Sequence, residues 1–357
     1  MPLVRRSEGM TTTQESTLRR GAPPTRGAGP GRTRALAALG LGVVAVVVLI
    51  ALDVFAPALF PQALPSRLQD GLTLALSVLI ESLPFVMLGV VLSIGVQVWL
   101  PASVIERWMP RRAWARRAVL SLLGMLIPVC ECGNLPFARG LIMRGISPAE
   151  ALTFLVAAPI VNPIVIITTH AAFGWDSGIL VVRIVGGWVI ANLIGWIYSR
   201  HPDPASLLTG RFLDTCEIVA TDTGARGRRS LAQFIVELRA VMPALVIGSG
   251  IAGAVQVVVP RDTLLAIGSN PVLSIVAMTA LAMTVAICSN VDSFFALSFA
   301  STFSPGSLVV FLLVGPLVDV KMLALMRTTF TTRTLAGIVA VVLLASFAIG
   351  IGVNLLA

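Results

Sequence analysis

Nine apolar segments, each about as long as a helix that crosses a lipid bilayer, follow one another along the chain. A helix needs about 20 residues to cross ~30 Å of hydrocarbon, because each residue advances it by about 1.5 Å. The chain has 357 residues, of which 56% are hydrophobic and 12% charged, whereas a soluble domain has about 25% charged residues. This composition excludes a cytosolic enzyme and a secreted disulfide scaffold, and it predicts an all-α, polytopic membrane protein. The apolar segments are residues 35–55, 72–100, 118–142, 151–173, 179–198, 234–259, 272–300, 305–326 and 335–357.

The basic residues indicate topology rather than a nucleic-acid partner. The net charge is +9, but the basic residues cluster between apolar segments, as cytoplasmic loops of membrane proteins do. Lys321 is the only lysine, and the sequence before it does not fit a nucleotide-binding P-loop, so nucleotide hydrolysis by that route is excluded. We therefore predict that the basic clusters at 107–117, 139–144, 200–229 and 321–333 all face the cytoplasm.

Polar stretches divide the chain into five parts. Residues 1–34 lack large apolar side chains and are predicted to be a disordered, basic cytoplasmic tail. Residues 35–56 form an apolar segment too long for a signal peptide, so we expect a first transmembrane helix. Two membrane repeats are expected at 70–198 and 231–357, joined by a cytoplasmic linker at 199–230.

The two membrane parts resemble each other in the order of their landmark residues. Pro84 matches Pro243 at an offset of 159, Cys130 matches Cys288 at 158, and Asn162 matches Asp319 at 157. Because the offset drifts by only two residues over the whole unit, we infer a duplicated unit.

Arginine placement predicts that the second copy is inverted. If residues 118–142 crossed the membrane, the basic linker would lie outside, so a re-entrant hairpin is preferred. Its tip is expected at 128–136, where prolines stand at both ends and Gly133 lies between them. Three spans then separate the segments that begin near residues 72 and 234, so the two repeats have opposite orientations in the membrane. This is the inverted-repeat plan of secondary transporters, in which each repeat carries a re-entrant or broken helix. The second tip, 288–293, lacks flanking prolines, and a continuous helix stays open there.

Three cysteines near the predicted tips are candidate ligands. Cys130 and Cys132 lie two residues apart at the first tip, and Cys288 takes the equivalent place in the second repeat. Thiolates bind soft species such as Cu(I), Zn(II) and trivalent arsenic or antimony. The alternative is that these cysteines are small apolar residues suited to helix packing.

Acidic and amide side chains inside the apolar segments are candidate substrate or proton sites, because a charge at membrane depth is costly unless paired or hydrated. Glu81 and Asp292 are predicted to carry protons. For Asp319 an ion pair with Lys321 or Arg327 is the alternative. Candidates for substrate binding, with the three cysteines, are Glu131, Asn134, Asn162, Asn290, Asp292 and Asp319.

The same residues resemble a known family. The stretch 128–136, the following Gly140–Gly145 with Ser147-Pro148, the Ala-Ala-Pro-x-x-Asn-Pro sequence at 157–163 and a weaker second copy at 286–319 resemble the YraQ-like predicted permeases, a group that includes organoarsenical efflux permeases. The resemblance implies a multi-pass permease of the bacterial plasma membrane, and the basic residues of the tail place its N-terminus in the cytoplasm. For some relatives it implies export of trivalent organoarsenicals.

Together these features predict a secondary transporter for a small solute, such as a soft metal or trivalent metalloid, coupled to protons or ions. The expected partners are membrane lipid and that substrate, without nucleic acid or cofactor, and a homo-oligomer is compatible with the sequence. One alternative is a membrane-embedded thiol oxidoreductase, although redox pairs are usually Cys-x-x-Cys rather than Cys-x-Cys. Another is a membrane subunit of a larger transport complex, docked through the basic linker.

Overall fold

The protein is helical throughout the part of the chain that a computed structural model describes, which comprises residues 66–99, 107, 109–127, 129–221, 225–258 and 271–356. Thirteen α-helices lie in these ranges. The first nine are α1 Ser66–Ile94, α2 Ala113–Leu122, α3 Glu131–Met143, α4 Pro148–Val161, α5 Pro163–Phe173, α6 Ile179–Tyr198, α7 Gly210–Thr221, α8 Arg226–Val258 and α9 Pro271–Thr284. The last four are α10 Asp292–Leu297, α11 Pro305–Val318, α12 Val320–Met326 and α13 Thr332–Leu356. The predicted tail 1–34 and first helix 35–56 lie outside the described residues.

Six helices among the described residues are long and apolar enough to cross a membrane. They correspond to six of the nine predicted segments, and α4 with α5 and α11 with α12 each make one span. The prediction of an all-α, polytopic membrane protein is therefore confirmed. The spans are Gln69–Trp99, Pro148–Phe173, Ile179–Tyr198, Arg226–Val257, Pro305–Met326 and Thr332–Leu356.

The segment 118–142 is not a continuous helix. It contains α2, a 3₁₀ turn at Leu123–Met125, a short break and then α3. The break was expected to extend to Pro136, but Pro136 lies inside α3, and the non-helical residues end at Cys130. This part of the prediction is wrong because a proline removes only one helical hydrogen bond. Such a loss is tolerated at membrane depth where the backbone is buried in protein, as it is here.

The segment 272–300 is broken in the same way. Helix α9 ends at Thr284 and α10 begins at Asp292, so the continuous helix left open by the sequence does not form. The amides of Val129 and Ile287 donate to the carbonyls of Ile127 and Val285, at 2.7 and 2.8 Å. The two bonds are 158 residues apart in the sequence. The carbonyls of Cys130 and Cys288, which occupy equivalent positions, accept hydrogen bonds from the amides of Asn134 and Asp292. The two breaks therefore share a backbone conformation.

A second pair of interruptions falls at Asn162 and Asp319. Each has extended backbone, ends one helix and caps the next. The Asn162 side chain accepts from the amide of Ile164, and that of Asp319 accepts from Met322. Side-chain oxygens satisfy helix N-termini in this way. The span from Pro148 to Phe173 and the span from Pro305 to Met326 are thus each interrupted at a capping residue.

The element order of the first half recurs in the second. Each half begins with a long helix that contains a proline, α1 or α8. A pair of helices separated by a break follows (α2 and α3, or α9 and α10), then a pair separated by a capping residue (α4 and α5, or α11 and α12), and finally one spanning helix, α6 or α13. The inverted orientation of the second copy stays a prediction.

Helices α4 and α11 form the centre of the bundle. Every residue of α4 and nearly every residue of α11 is buried, as expected for helices that are apolar on all sides. Helix α4 packs along α6, and α11 packs against α9 and α13. In this arrangement α3 is buried from Glu131 to Leu141, and α10 buries Asp292, Ser293 and Ala296.

The predicted linker is partly folded. It contains a 3₁₀ turn at Pro204–Leu207 and the helix α7, and its Leu207 and Phe212 are buried. The amide of Thr209 donates to the carbonyl of Thr329 at 2.9 Å. These contacts attach the linker to the segment between α12 and α13.

We expect a side chain at Gly89 to loosen the contact between α1 and α3. A β-carbon there would overlap the carbonyl group of Gly133 on α3, and overpacking of this kind costs about 1–3 kcal/mol. Gly89→Ala should therefore lower the unfolding temperature of the purified protein in detergent. Gly95→Ala is the control, because nothing lies within 4 Å of a β-carbon at that position. Equal unfolding temperatures for the two variants would contradict this packing.

Candidate functional site

The two helix breaks meet in the interior of the protein. Glu131, the first residue of α3, accepts a hydrogen bond from the hydroxyl of Ser289 at 2.9 Å. The sulfur of Cys288 lies 4.0 Å from the same carboxylate oxygen. All three residues are buried. The first and second tips predicted from the sequence are therefore in direct contact.

Three ligand atoms converge at this contact. The sulfurs of Cys130 and Cys288 and a carboxylate oxygen of Glu131 all lie within 4.8 Å of one another. Cys130 is 2% exposed, Glu131 1% and Cys288 4%. Two thiols and one carboxylate make a small, dry donor set that suits a soft ion or metalloid. We call Cys130, Glu131 and Cys288 the central cluster.

The other two cysteines have different surroundings. Cys132 is fully buried beside Cys130, and its thiol donates to the hydroxyl of Ser82 at 3.6 Å. Cys216 lies on α7 in the linker, where burial raises the pKa of its thiol to about 11. All four cysteines are free thiols.

A buried lysine neutralises the central cluster. The ammonium of Lys321 lies 3.1 Å from the second carboxylate oxygen of Glu131, and both side chains are almost completely buried. The sequence suggested that Lys321 belongs to a basic cluster facing the cytoplasm or pairs with Asp319. The ion pair observed is instead with Glu131, in the interior of the protein. Lys321 follows a helix break, at the second residue of α12, and the chain turn at Asp319 directs it inward.

Amide groups near the cluster have unused hydrogen-bonding capacity. Neither side-chain atom of Asn134 has a partner within the described residues, although Asn134 is 1% exposed. The side-chain oxygen of Asn290 also lacks one there. Since buried polar groups are nearly always hydrogen-bonded, these atoms point to a ligand or ordered water in the same region.

Asn162 and Asp319 have mainly structural roles. Besides capping α5, Asn162 donates to the carbonyl of Val129 at 3.0 Å, next to the central cluster. Asp319 caps α12 and makes no ion pair within the described residues. Both therefore position the breaks that carry the cluster.

Glu81 lies on α1 with an exposed side chain. It is close enough to Glu131 and Lys321 to interact with both electrostatically. Within the described residues Glu81 forms no ion pair, in agreement with the absence of an obvious partner in its own apolar segment. It is thus an exposed titratable group of α1 within electrostatic reach of the ion pair at the central cluster.

Asp292 is paired with an arginine that sequence reasoning missed. Arg183 on α6 donates to both carboxylate oxygens, at 2.6 and 3.0 Å, and also to the hydroxyls of Thr169 and Ser293. Both partners are buried. The signal was available, because an arginine inside the apolar segment 179–198 is rare without a buried partner.

Arg139 is the second buried arginine. It was expected in a cytoplasmic loop, but it is 1% exposed and donates to Glu237 of α8 at 2.7 Å and to the hydroxyl of Thr329 at 3.0 Å. Its guanidinium also lies over the ring of Phe212 in the linker. The expectation fails because α3 continues past Pro136 and carries Arg139 into the bundle. Glu237, an acid within the apolar segment 234–259, was likewise missed.

Comparison with known proteins gives the family. The model of the predicted permease family ArsP_1 matches residues 67–355. The UPF0718 protein YcgR of Bacillus subtilis is 38% identical over 264 residues, which cover 72% of this chain and 88% of that relative. A Streptococcus mutans protein named as a subunit of a two-component membrane permease complex is 33% identical over 274 residues, covering 76% of this chain and 90% of its own length. The UPF0718 protein YraQ of Escherichia coli is 30% identical over 117 residues, 32% of each chain. No solved structure matches the chain.

The resemblance noted in the sequence is thus confirmed. The family match covers both helix breaks, the central cluster and all six spanning helices. The chain is a multi-pass membrane protein that belongs to the ArsP_1 predicted permease family.

Proposed function

We propose that this permease is a secondary transporter that carries a soft, thiol-binding solute through the central cluster. Alternating exposure of the cluster to the two sides of the membrane would move the solute. The observation that carries the proposal is the convergence of Cys130, Glu131 and Cys288 where two helix breaks meet. Broken helices that meet inside a bundle are a recurrent setting for transporter substrate sites.

The charge balance of the site favours a neutral trivalent metalloid over a metal dication. Lys321 already offsets the charge of Glu131, so the charge of a dication would be balanced only if both thiols released their protons from the buried site. A metalloid hydroxide has no such requirement. Each thiol that bonds to it loses a proton, the metalloid loses a hydroxide, and the two leave as water, so the net charge of the site is unchanged.

Glu131 and Asn134 would serve the bound solute in different ways. Glu131 can pass the proton of the Cys288 thiol to the departing hydroxide, because its carboxylate oxygen already lies near the Cys288 sulfur. The unpartnered amide of Asn134 can donate to a substrate oxygen and accept from a substrate hydroxyl. Asn290 offers a further acceptor.

We propose that Glu81 couples transport to protons. It is an exposed carboxylate on a spanning helix, and it interacts electrostatically with Glu131 and Lys321. Protonation of Glu81 would therefore alter the field at the central cluster. Titratable groups in this setting commonly relay protons in transporters.

The membrane placement follows the arginine pattern. We propose that the protein lies in the bacterial plasma membrane, with its linker and N-terminus in the cytoplasm and its two repeats inverted. The sequence places the linker cluster 200–229 on the cytoplasmic side by the positive-inside rule. The first copy contains three spans among the described residues, and because that number is odd, the second copy would begin on the opposite side of the membrane and be inverted.

A second candidate is a transport subunit that needs a partner protein. It is favoured by the name of the Streptococcus mutans relative, which is a subunit of a two-component membrane permease complex. The exposed side chains of Leu213 and Ile218 on α7, in the basic linker, would suit such a contact.

Substitution of the cluster cysteines should abolish metalloid resistance. We expect Cys130→Ser and Cys288→Ser each to lower the arsenite or phenylarsenite concentration tolerated by a sensitive bacterial host by about tenfold or more, a loss typical of damaged metal sites. Cys132→Ser should also impair resistance, because its thiol adjoins Cys130.

Cys216→Ser is the matched control, since Cys216 lies on the linker helix outside the cluster. It should retain full resistance at equal expression. Wild-type resistance in both Cys130→Ser and Cys288→Ser would refute thiol ligation.

Neutralising Glu81 should uncouple transport from the proton gradient. In proteoliposomes with an imposed pH gradient, Glu81→Gln should show flux that no longer changes when the gradient is collapsed. Asp70→Asn, on the same helix and also exposed, should keep the wild-type response. Gradient-dependent flux in Glu81→Gln would assign coupling to another group.

The need for a partner can be tested by purification and reconstitution. If the chain is a subunit, the tagged protein should co-purify from its native membranes with a second membrane protein in constant ratio. Reconstituted alone, it should then be inactive. Full flux from the chain alone would reject the second candidate.

A further inference from the structure

Three buried ion pairs join the first membrane repeat to the second. Glu131 pairs with Lys321, Arg139 with Glu237, and Arg183 with Asp292. In each pair one partner lies in residues 70–198 and the other in 231–357. The one other ion pair among the described residues, Arg116–Glu150, lies within the first repeat, and Arg116 is 31% exposed.

The pair at the central cluster lies between the other two along the helices. Helix α3 begins at Glu131 and reaches Arg139 eight residues later, about 12 Å along its axis. Helix α5 begins beside the first break, where Asn162 bonds to Val129, and reaches Thr169 seven residues later, about 10 Å away. Thr169 accepts a hydrogen bond from Arg183.

The Arg139–Glu237 pair lies at the end of the bundle that carries the linker. Arg139 donates to Thr329, whose carbonyl accepts from Thr209 of the linker. Its guanidinium contacts Phe212 of the linker as well. We call this pair the linker-end pair.

The Arg183–Asp292 pair lies at the opposite end. Arg183 is near the start of α6, and the linker follows the last residue of that helix, Tyr198. Fifteen residues separate the two positions, about 22 Å of helix. Tyr198 itself donates to the carbonyl of Thr334, near the linker contacts. We call this pair the far-end pair.

We propose that the linker-end and far-end pairs are the two gates of the transport path, and that they open one at a time. The inference rests on the proposed function, because a gate requires a path through the central cluster. With both pairs closed, Cys130, Cys132 and Cys288 are each at most 4% exposed. The structure is thus an occluded state, and separation of the repeats at one end must break the pair at that end.

Buried ion pairs suit this role energetically. Their attraction is largely offset by the loss of hydration, so a closed pair adds little net stability. When water enters an opening gate, both ions are hydrated again. An apolar seal offers no such compensation, because its exposure to water is always unfavourable.

The far-end pair retains polar partners on both sides when it separates. Thr169 belongs to the same repeat as Arg183, and Ser293 belongs to the same repeat as Asp292. Each ion therefore keeps a hydroxyl contact of its own in the open state.

The gates can be tested by the accessibility of the central thiols, without any knowledge of the solute. All variants are made in full-length protein with Cys216→Ser, so that the remaining cysteines are the three in the interior. A membrane-impermeant methanethiosulfonate is added to sealed vesicles of each orientation, and the rate of labelling is measured. Neutral double variants remove each pair: Arg139→Gln with Glu237→Gln, and Arg183→Gln with Asp292→Asn.

We expect each double variant to raise the labelling rate by about tenfold or more, since the rate follows the population of the open state. The linker-end variant should be labelled from the linker side, and the far-end variant from the opposite side. Arg116→Gln with Glu150→Gln is the matched control, because that pair lies within one repeat, and it should label like the parent. Unchanged labelling in both double variants, or opening on the same side in both, would overturn the proposal.

Charge-reversed variants keep the test decisive if a neutral variant fails to fold. Arg183→Asp with Asp292→Arg, and Arg139→Glu with Glu237→Arg, restore each attraction and should restore slow labelling from both sides. Fast labelling of well-folded charge-reversed protein would contradict gating by the pairs. Because metalloid resistance does not enter the assay, loss of the thiol-ligand proposal would leave the gate result intact.

Discussion

The buried ion pair between Glu131 and Lys321 is the interaction on which the centre of this permease depends. It connects the first residue of α3 to the second residue of α12, and thus the first helix break to the interruption at Asp319. Removal of one partner from such a pair costs about 3–5 kcal/mol, because the remaining charge is buried without compensation. The pair also removes most of the net charge from a site that holds two thiols. One contact therefore fixes both the geometry and the electrostatics of the central cluster.

Helix interruption is the means by which the fold produces that site. A continuous helix satisfies its own backbone, so at membrane depth it offers only side chains to a solute. The breaks before Glu131 and Asp292 end a helix inside protein, where Cys130 and Cys288 take equivalent places. The caps at Asn162 and Asp319 create a second pair of ends beside them. The buried helices α4 and α11 end at these caps, in the centre of the bundle.

Polar contacts in the bundle are concentrated at three levels, and each level joins the two halves. Apolar helix contacts alone would leave the halves free to pack in several registers, since one apolar face resembles another. The arginine pairs at the two ends and the lysine pair at the centre specify one register. Their weak net contribution to stability leaves them able to separate. If the two end pairs are gates, as we propose, specificity of packing and capacity for movement come from the same interactions.

The sequence by itself determined the membrane-helical class, the six described spans, the first broken segment and the repeated order of landmarks, because apolar length, proline and glycine act locally. At the second broken segment, which lacks flanking prolines, it left a continuous helix open. It also identified Cys130, Glu131 and Cys288 as candidates. Only the tertiary structure decided which charges meet. Lys321, Arg139, Arg183 and Glu237 were interpreted as loop charges or overlooked, because the partner of a buried ion lies up to 190 residues away in the chain. Pairing across that separation depends on how the two halves pack, which no local pattern records.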